Sequence, residues 1–203
     1  MNTRRDFIKK SLIACIALSL PLSFPESGQA LPREFKIRNP KRALVLCYSQ
    51  TGFTSRYGRL IACILKEKGI AAVLADMRTF DKKRITEFDL IIMGSPVFYY
   101  DIPPNVSSFL AAMPKLTGIP VAAFVSFGGP EGNQHNALCH ALHLLDDAGG
   151  AAVGMIALRS IPSYPTPTWD SANQRAAEHL PDASTYAQVR SFTEQVLAQN
   201  SRG

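Results

Sequence analysis

Three hydroxyls and a glycine lie together in Ser49-Gln50-Thr51-Gly52-Phe53-Thr54, directly after the apolar run Ala43-Leu44-Val45-Leu46-Cys47-Tyr48 and directly before a helical pattern. A strand that turns tightly into a helix aims several unpaired backbone N–H groups, and the positive end of the helix dipole, at one spot. Hydroxyls from Ser49, Thr51 and Thr54 would complete an anion site there, and Gly52 lets the backbone come close. Neither common nucleotide loop fits, because there is no G-x-x-x-x-G-K-[ST] with its lysine and no G-x-G-x-x-G for a dinucleotide. The chemistry that remains is capture of a mononucleotide phosphate, set against the plainer reading of a Ser/Thr-capped helix start.

Two further loops carry groups suited to a flat ligand. In Gly94-Ser95-Pro96-Val97-Phe98-Tyr99-Tyr100-Asp101-Ile102-Pro103-Pro104, three adjacent aromatics follow a tight Ser-Pro turn. An aromatic face suits a planar ring and the turn can offer backbone donors to the ring's polar edge; burial against the body of the protein is the competing account. Ser126-Phe127-Gly128-Gly129-Pro130-Glu131-Gly132-Asn133-Gln134 is glycine-rich, which permits close backbone approach from another side or makes a plain turn.

The elements that must position these loops alternate in type from residue 42 onward. Apolar runs at 43–48, 71–75, 89–94, 120–126 and 151–158 read as strands of a parallel sheet covered on both faces. Helical spacing appears in Ser55 to Lys68, ended by Gly69, and in Pro104 to Met113, opened by proline. Asn136 to Ala148 is a third helix, ended by Gly149-Gly150. Ser184 to Gln199 is the last, with Tyr186, Val189, Phe192, Val196 and Leu197 on one face. Phe80 to Glu87 is too short for a full helix and is left without a class.

The first loop resembles the [ST]-x-T-G-x-T loop that holds the FMN phosphate in the flavodoxin family, with Phe53 where many flavodoxins carry Asn. The second resembles the G-[ST]-P-[IV]-[YF] loop of flavodoxin-like oxidoreductases, in which backbone groups and an aromatic contact the isoalloxazine. The likeness runs over about residues 42 to 158 through three motifs in order. It implies an α/β fold, a three-layer doubly wound five-stranded parallel sheet of order 2-1-3-4-5, with FMN at the switch point outside strands one and three. The residues it assigns to the cofactor are Ser49, Gln50, Thr51, Gly52, Phe53 and Thr54 for the phosphate. For the ring they are Ser95, Pro96, Val97, Phe98 and Tyr99 on one side and Ser126, Phe127, Gly128, Gly129 and Gly132 on the other. No side chain is required as a catalytic acid or base. The expectation is an FMN protein passing electrons through its flavin. The alternatives are an FMN-dependent NAD(P)H or quinone reductase and a flavin-free binding module of the same fold. The electron source is then a redox partner protein or a small donor or acceptor.

The N-terminus differs in character from the rest. Thr3-Arg4-Arg5-Asp6-Phe7-Ile8-Lys9-Lys10 leads into an apolar stretch from Ser11 to Phe24 and a small-residue end at Ser27-Gly28-Gln29-Ala30. This pattern reads as a twin-arginine export signal over residues 1–30, followed by a basic leader over 31–41 and one domain over 42–203. The apolar stretch is broken by Pro21 and falls short of the roughly 20 residues that span a bilayer, so no stable transmembrane anchor is expected after cleavage. Cys15 stands at the wrong end of that stretch for a lipoprotein box. The expected location is periplasmic, after export in the folded, cofactor-loaded state.

The chain has 203 residues and a formal net charge of +6, and removing residues 1–30 leaves 18 Lys+Arg against 14 Asp+Glu, about +4. Electron-shuttling flavodoxins are typically acidic, so the family's usual basic partner surface is put in question. No aromatics interleave with the basic residues of the leader, which argues against nucleic acid. Cys47, Cys63 and Cys139 form no disulfide framework. His135, Cys139 and His143 fall at i, i+4 and i+8 with His140 beside them, but the outer pair is about 12 Å apart at 1.5 Å per residue, too far for one ion without bending. A pair such as His135 with Cys139 is the metal alternative to ordinary helix packing or capping, and no metal site is assigned. A serine hydrolase is excluded for want of G-x-S-x-G. Ser160 to Asp182, rich in proline, is either a strap over the ligand or structural trim.

Overall fold

The computed structural model describes residues 39–129, 132–161 and 179–199. The proposed export signal, most of the basic leader and most of the Ser160–Asp182 segment lie outside the described residues.

Five strands form one all-parallel sheet: β1 (Arg42–Cys47), β2 (Ala71–Asp76), β3 (Leu90–Pro96), β4 (Pro120–Phe127) and β5 (Ala151–Arg159). Their order is β2-β1-β3-β4-β5. Among the described residues, four α-helices connect or follow them: α1 (Phe53–Glu67), α2 (Pro104–Ala111), α3 (Asn133–Asp147) and α4 (Ala183–Gln199). This is the doubly wound architecture that the order of elements implies.

The three layers follow from the pleat. Successive side chains of β1 point to opposite faces, so Ala43, Val45 and Cys47 enter one core cluster and Leu44 and Leu46 the other. The first cluster is closed by Tyr57, Ile61, Ile64 and Leu65 of α1 and by Val189, Phe192 and Val196 of α4. The second is closed by Val106 and Leu110 of α2 and by Ala137, Leu138, Ala141 and Leu145 of α3. Every residue of β3 and β4 is buried, which is why these strands read as unbroken apolar runs.

Some boundaries differ from the sequence reading. β3 runs on through Ser95 and Pro96, which pair with Val125 and Ser126. Proline is tolerated there because it is the last residue, where its missing N–H breaks no ladder. α1 begins at Phe53, ahead of the expected Ser55. Phe80 to Glu87 contains a 3-10 helix, Lys82–Glu87, started by Asp81, whose carboxylate accepts the Lys83 N–H. On α4, Tyr186 does not join the buried face; it is exposed and its hydroxyl pairs with Arg190, while Thr185 and Thr193 are buried instead. The buried stripe of α4 is therefore Thr185, Val189, Phe192, Thr193 and Val196, with Leu197 half-buried at the margin.

Candidate functional site

β1 is flanked by β2 on one side and β3 on the other, so the chain leaves it in opposite directions and a crevice opens at the carboxyl ends of β1 and β3. The loops after β1, β3 and β4 meet there.

The loop after β1 is built around Gly52, the residue before the first turn of α1, at φ 91°. Ser49 is buried and its Oγ accepts the Gly52 N–H at 3.1 Å. No side chain caps the helix. The Arg56 N–H reaches the Gly52 carbonyl at 3.0 Å, but the N–H groups of Phe53, Thr54 and Ser55 have no acceptor among the described residues. Three donors and the helix dipole are thus left facing the loop. Thr51 and Gln50 are exposed beside them, with the Gln50 amide donating to the Tyr48 hydroxyl at 3.3 Å. Phe53 turns its ring inward, where it is buried, with the Arg56 guanidinium 4.8 Å from the ring centroid.

Ser126 ties the three loops together. Its Oγ lies 2.8 Å from Thr54 Oγ1, and its carbonyl accepts the Val97 N–H at 2.9 Å. Two hydroxyls sharing one hydrogen bond leave one proton of the pair to donate elsewhere. Ser95 is fully buried, its hydroxyl donating to the Pro96 carbonyl at 2.9 Å, and Pro96 is buried beside it.

Past the half-buried Val97 and Phe98 the chain makes a tight turn. Phe98 and Asp101 exchange both backbone hydrogen bonds, at 2.7 and 3.1 Å, and the intervening Tyr99 and Tyr100 have φ of 47° and 70°. Two successive left-handed residues make a turn normally reserved for Asn-Gly, and side chains larger than these rarely adopt it. Tyr99 and Tyr100 are 70% and 61% exposed, so burial does not account for the conformation. The Phe98 and Tyr99 rings meet edge to face at 4.7 Å.

After β4, Phe127 and Gly128 are buried and Gly129 is half-buried. The Arg159 guanidinium lies 4.7 Å from the Phe127 ring centroid and donates to the Gly129 carbonyl at 2.9 Å. Gly132, at φ 104°, donates its N–H to Gln134 Oε1 at 2.9 Å. The structure thus joins Ser49 with Gly52, Thr54 with Ser126, and Val97 with Ser126. It keeps Phe127 within the body of the fold and leaves Tyr99 outside.

Three residues shape the site without having been singled out by motif. The Tyr57 hydroxyl donates to the Arg159 carbonyl, so α1 holds the end of β5. Burial, reinforced by Asp182 and opposed by Arg56, pushes this phenol up to about 12. Asp101 and His140 make a second link: His140 Nδ1 stands 2.8 and 2.9 Å from the two Asp101 carboxylate oxygens. Burial and then Asp76 push the Cys47 thiol up to about 12.

A family model described as Flavodoxin domain matches residues 44–148. The chain belongs to the flavodoxin family. No curated protein matches its sequence. Among solved structures it is similar to flavodoxin 1 of Bacillus cereus, at 18% identity and a TM-score of 0.61, covering 77% of this chain and 97% of that one. Flavodoxin 2 of the same organism gives 19% identity and a TM-score of 0.61, with 78% and 99% covered. Rubredoxin oxygen:oxidoreductase of Desulfovibrio gigas gives 16% identity and a TM-score of 0.59, with 80% of this chain but 37% of that one covered. At these identities the likeness concerns the fold. FMN binding and electron transfer are traits of the flavodoxin family. The residues of this chain fit that group: unpartnered first-turn N–H groups of α1 would face its phosphate, and the exposed aromatic turn would face its ring.

Proposed function

We propose that this chain is an exported FMN-binding flavodoxin-like protein that transfers electrons through its flavin. The observation that carries the reading is the uncapped start of α1, where the N–H groups of Phe53, Thr54 and Ser55 have no acceptor among the described residues. Buried polar groups rarely go unpaired in native proteins, and a phosphate satisfies several donors at once. Ser49 and Thr51 add hydroxyls at the same end. The ring would lie between the Val97–Tyr100 turn and the backbone of Phe127 to Gly129. FMN supplies the electron-accepting ring; the chain binds it, orients it and sets its electronic surroundings. Electrons come from and go to a redox partner protein or a small donor or acceptor. The Arg4-Arg5 signal pattern and the small-residue end at Ala30 support export to the periplasm by the twin-arginine route.

The test begins with the absorbance spectrum of the exported protein and identification of the released chromophore. Thr51 is exposed, so Thr51→Asp leaves folding nearly unchanged. A carboxylate about 5 Å from the phosphate costs about 3 kcal/mol at an effective dielectric of 20, so FMN binding should weaken by about two orders of magnitude. A colourless protein whose fluorescence titration with FMN shows no binding would sink the proposal. Steady turnover of NAD(P)H with a quinone, by a protein that does bind FMN, would favour the reductase alternative over the carrier.

A further inference from the structure

Resting on the reading of the Val97–Tyr100 turn as flavin-facing, we propose that His140 is a positioning residue: by holding the Asp101 carboxylate, it keeps that turn in the conformation that presents Tyr99 and Tyr100 to the ring.

The turn does not hold itself. Tyr99 and Tyr100 are both left-handed, at φ 47° and 70°, and neither side chain is of the short polar kind that hydrogen-bonds locally to ease that conformation. Backbone of this kind persists only where the surroundings over-determine it. Both rings are mainly exposed, and the turn is tied to the rest of the fold at its base. The base is Asp101, which exchanges two backbone hydrogen bonds with Phe98, accepts the Ile102 N–H on Oδ1 at 2.7 Å, and receives His140 Nδ1 on both oxygens.

The geometry gives each group a separate task. The Asp101 carboxylate locks the exit of the turn through Ile102, and the imidazole locks the carboxylate to α3. That helix is a firm anchor, because Ala137, Leu138 and Ala141, on either side of His140, are buried in the core. The link spans 39 residues of sequence and connects the loop after β3 to the helix after β4. Without the imidazole, the carboxylate is free to turn toward water and the two tyrosines can relax toward negative φ. The aromatic tip then leaves its position beside the crevice. The hydrogen bond requires a donor at Nδ1 and does not require a charged ring, so a neutral side chain that donates from the same place should serve.

The test uses the full-length exported protein with His140→Leu, His140→Asn and, as a control on the same helix, His143→Leu. In His140→Asn the amide NH2 stands near the place of Nδ1 and restores a donor. Freed of cofactor, each protein is followed by backbone amide exchange at Phe98 and Asp101, then titrated separately with FMN, riboflavin and inorganic phosphate. His140→Leu should speed amide exchange at both positions by at least about tenfold and weaken FMN and riboflavin by the same factor. Phosphate affinity should be unchanged, because the turn acts on the ring end alone. His140→Asn should recover most of both effects, and His143→Leu should show neither. Unchanged exchange and flavin affinity in His140→Leu would overturn the positioning role alone. So would a loss that extends equally to phosphate, or one that Asn does not rescue while melting temperatures stay equal. If the unaltered protein binds neither flavin, the cofactor reading falls and the positioning role with it.

Discussion

Gly58 lets α1 lie directly on β1, and replacing it sets two opposing effects against each other. A Cβ at this position would stand 2.4 Å from Cys47 Sγ, 3.0 Å from Leu74 Cδ1 and 3.4 Å from Val45 Cγ1. The Val45 contact is easily tolerated. Leu74 is on the edge strand β2, partly exposed, and the end of its side chain can move. Cys47 cannot: it is buried, and β1 is paired on both sides. Ordinary contact needs more than 1 Å of extra separation, which only a shift of the helix can provide. Gly58→Ala gains about 1 kcal/mol in helix propensity and loses about 1–3 kcal/mol to overpacking. The clash falls on an immobile atom, so the loss should sit near the upper end and the net destabilisation should be about 1–2 kcal/mol.

Cys47→Ala separates the two effects. Alone it removes a buried sulfur and should cost about 1 kcal/mol. Combined with Gly58→Ala it removes the clash and keeps the propensity gain, so the double variant should be at least as stable as Cys47→Ala. Urea denaturation of the four proteins should give a coupling of about 2 kcal/mol, within the range found for residues in contact. FMN affinity should fall with Gly58→Ala, because a displaced α1 moves its first-turn donors, and should return in the double variant. A stabilised Gly58→Ala protein, or effects that add to within about 0.5 kcal/mol, would refute the close approach.

At Gly52 the backbone acts without the packing: φ is 91° and nothing lies within 4 Å of a Cβ. Gly52→Ala should therefore cost about 1–2 kcal/mol from the left-handed conformation alone, measured by urea denaturation, and a neutral result would show that the loop relaxes. Tyr57→Phe removes the hydroxyl that donates to the Arg159 carbonyl and should cost about 1 kcal/mol near neutral pH. The Tyr57 phenol is raised to about 12 in the native state from about 10 in the unfolded chain, so the unfolded state loses its proton first. The stability that Tyr57 contributes is present in full below pH 10 and is lost as pH rises through 12. The gap between wild type and Tyr57→Phe should narrow over that window, and a constant gap from pH 9 to 11.5 would contradict the shift.

The topology was legible because parallel strands covered on both faces need apolar residues at every position, and such runs survive in the sequence as continuous blocks. Boundaries were less legible where local chemistry imitates a stop. Ser95 and Pro96 look like the beginning of a loop, yet they continue β3 because Val125 and Ser126 offer partners at the same level. Tyr186 matches the helical period of α4 but lies at its exposed margin, where pairing with Arg190 keeps its hydroxyl at the surface. Periodicity reports which face a residue shares, not how far the neighbouring layer extends over that face.

The candidate site divides along the same line. The unpaired donors at the start of α1 follow from strand, glycine and helix in succession, all local in sequence. The pairing of Thr54 with Ser126 spans 72 residues, and motif spacing assigns hydroxyls to a phosphate without saying which of them bond to each other. The Tyr99-Tyr100 turn gave no signal because left-handed pairs are usually announced by Asn-Gly, and here the conformation rests on contacts around Asp101. His140 was visible only as one member of a helical His/Cys stripe, which argues about metals and is silent about a carboxylate 39 residues earlier. Strain that the local sequence would avoid must be held by distant residues.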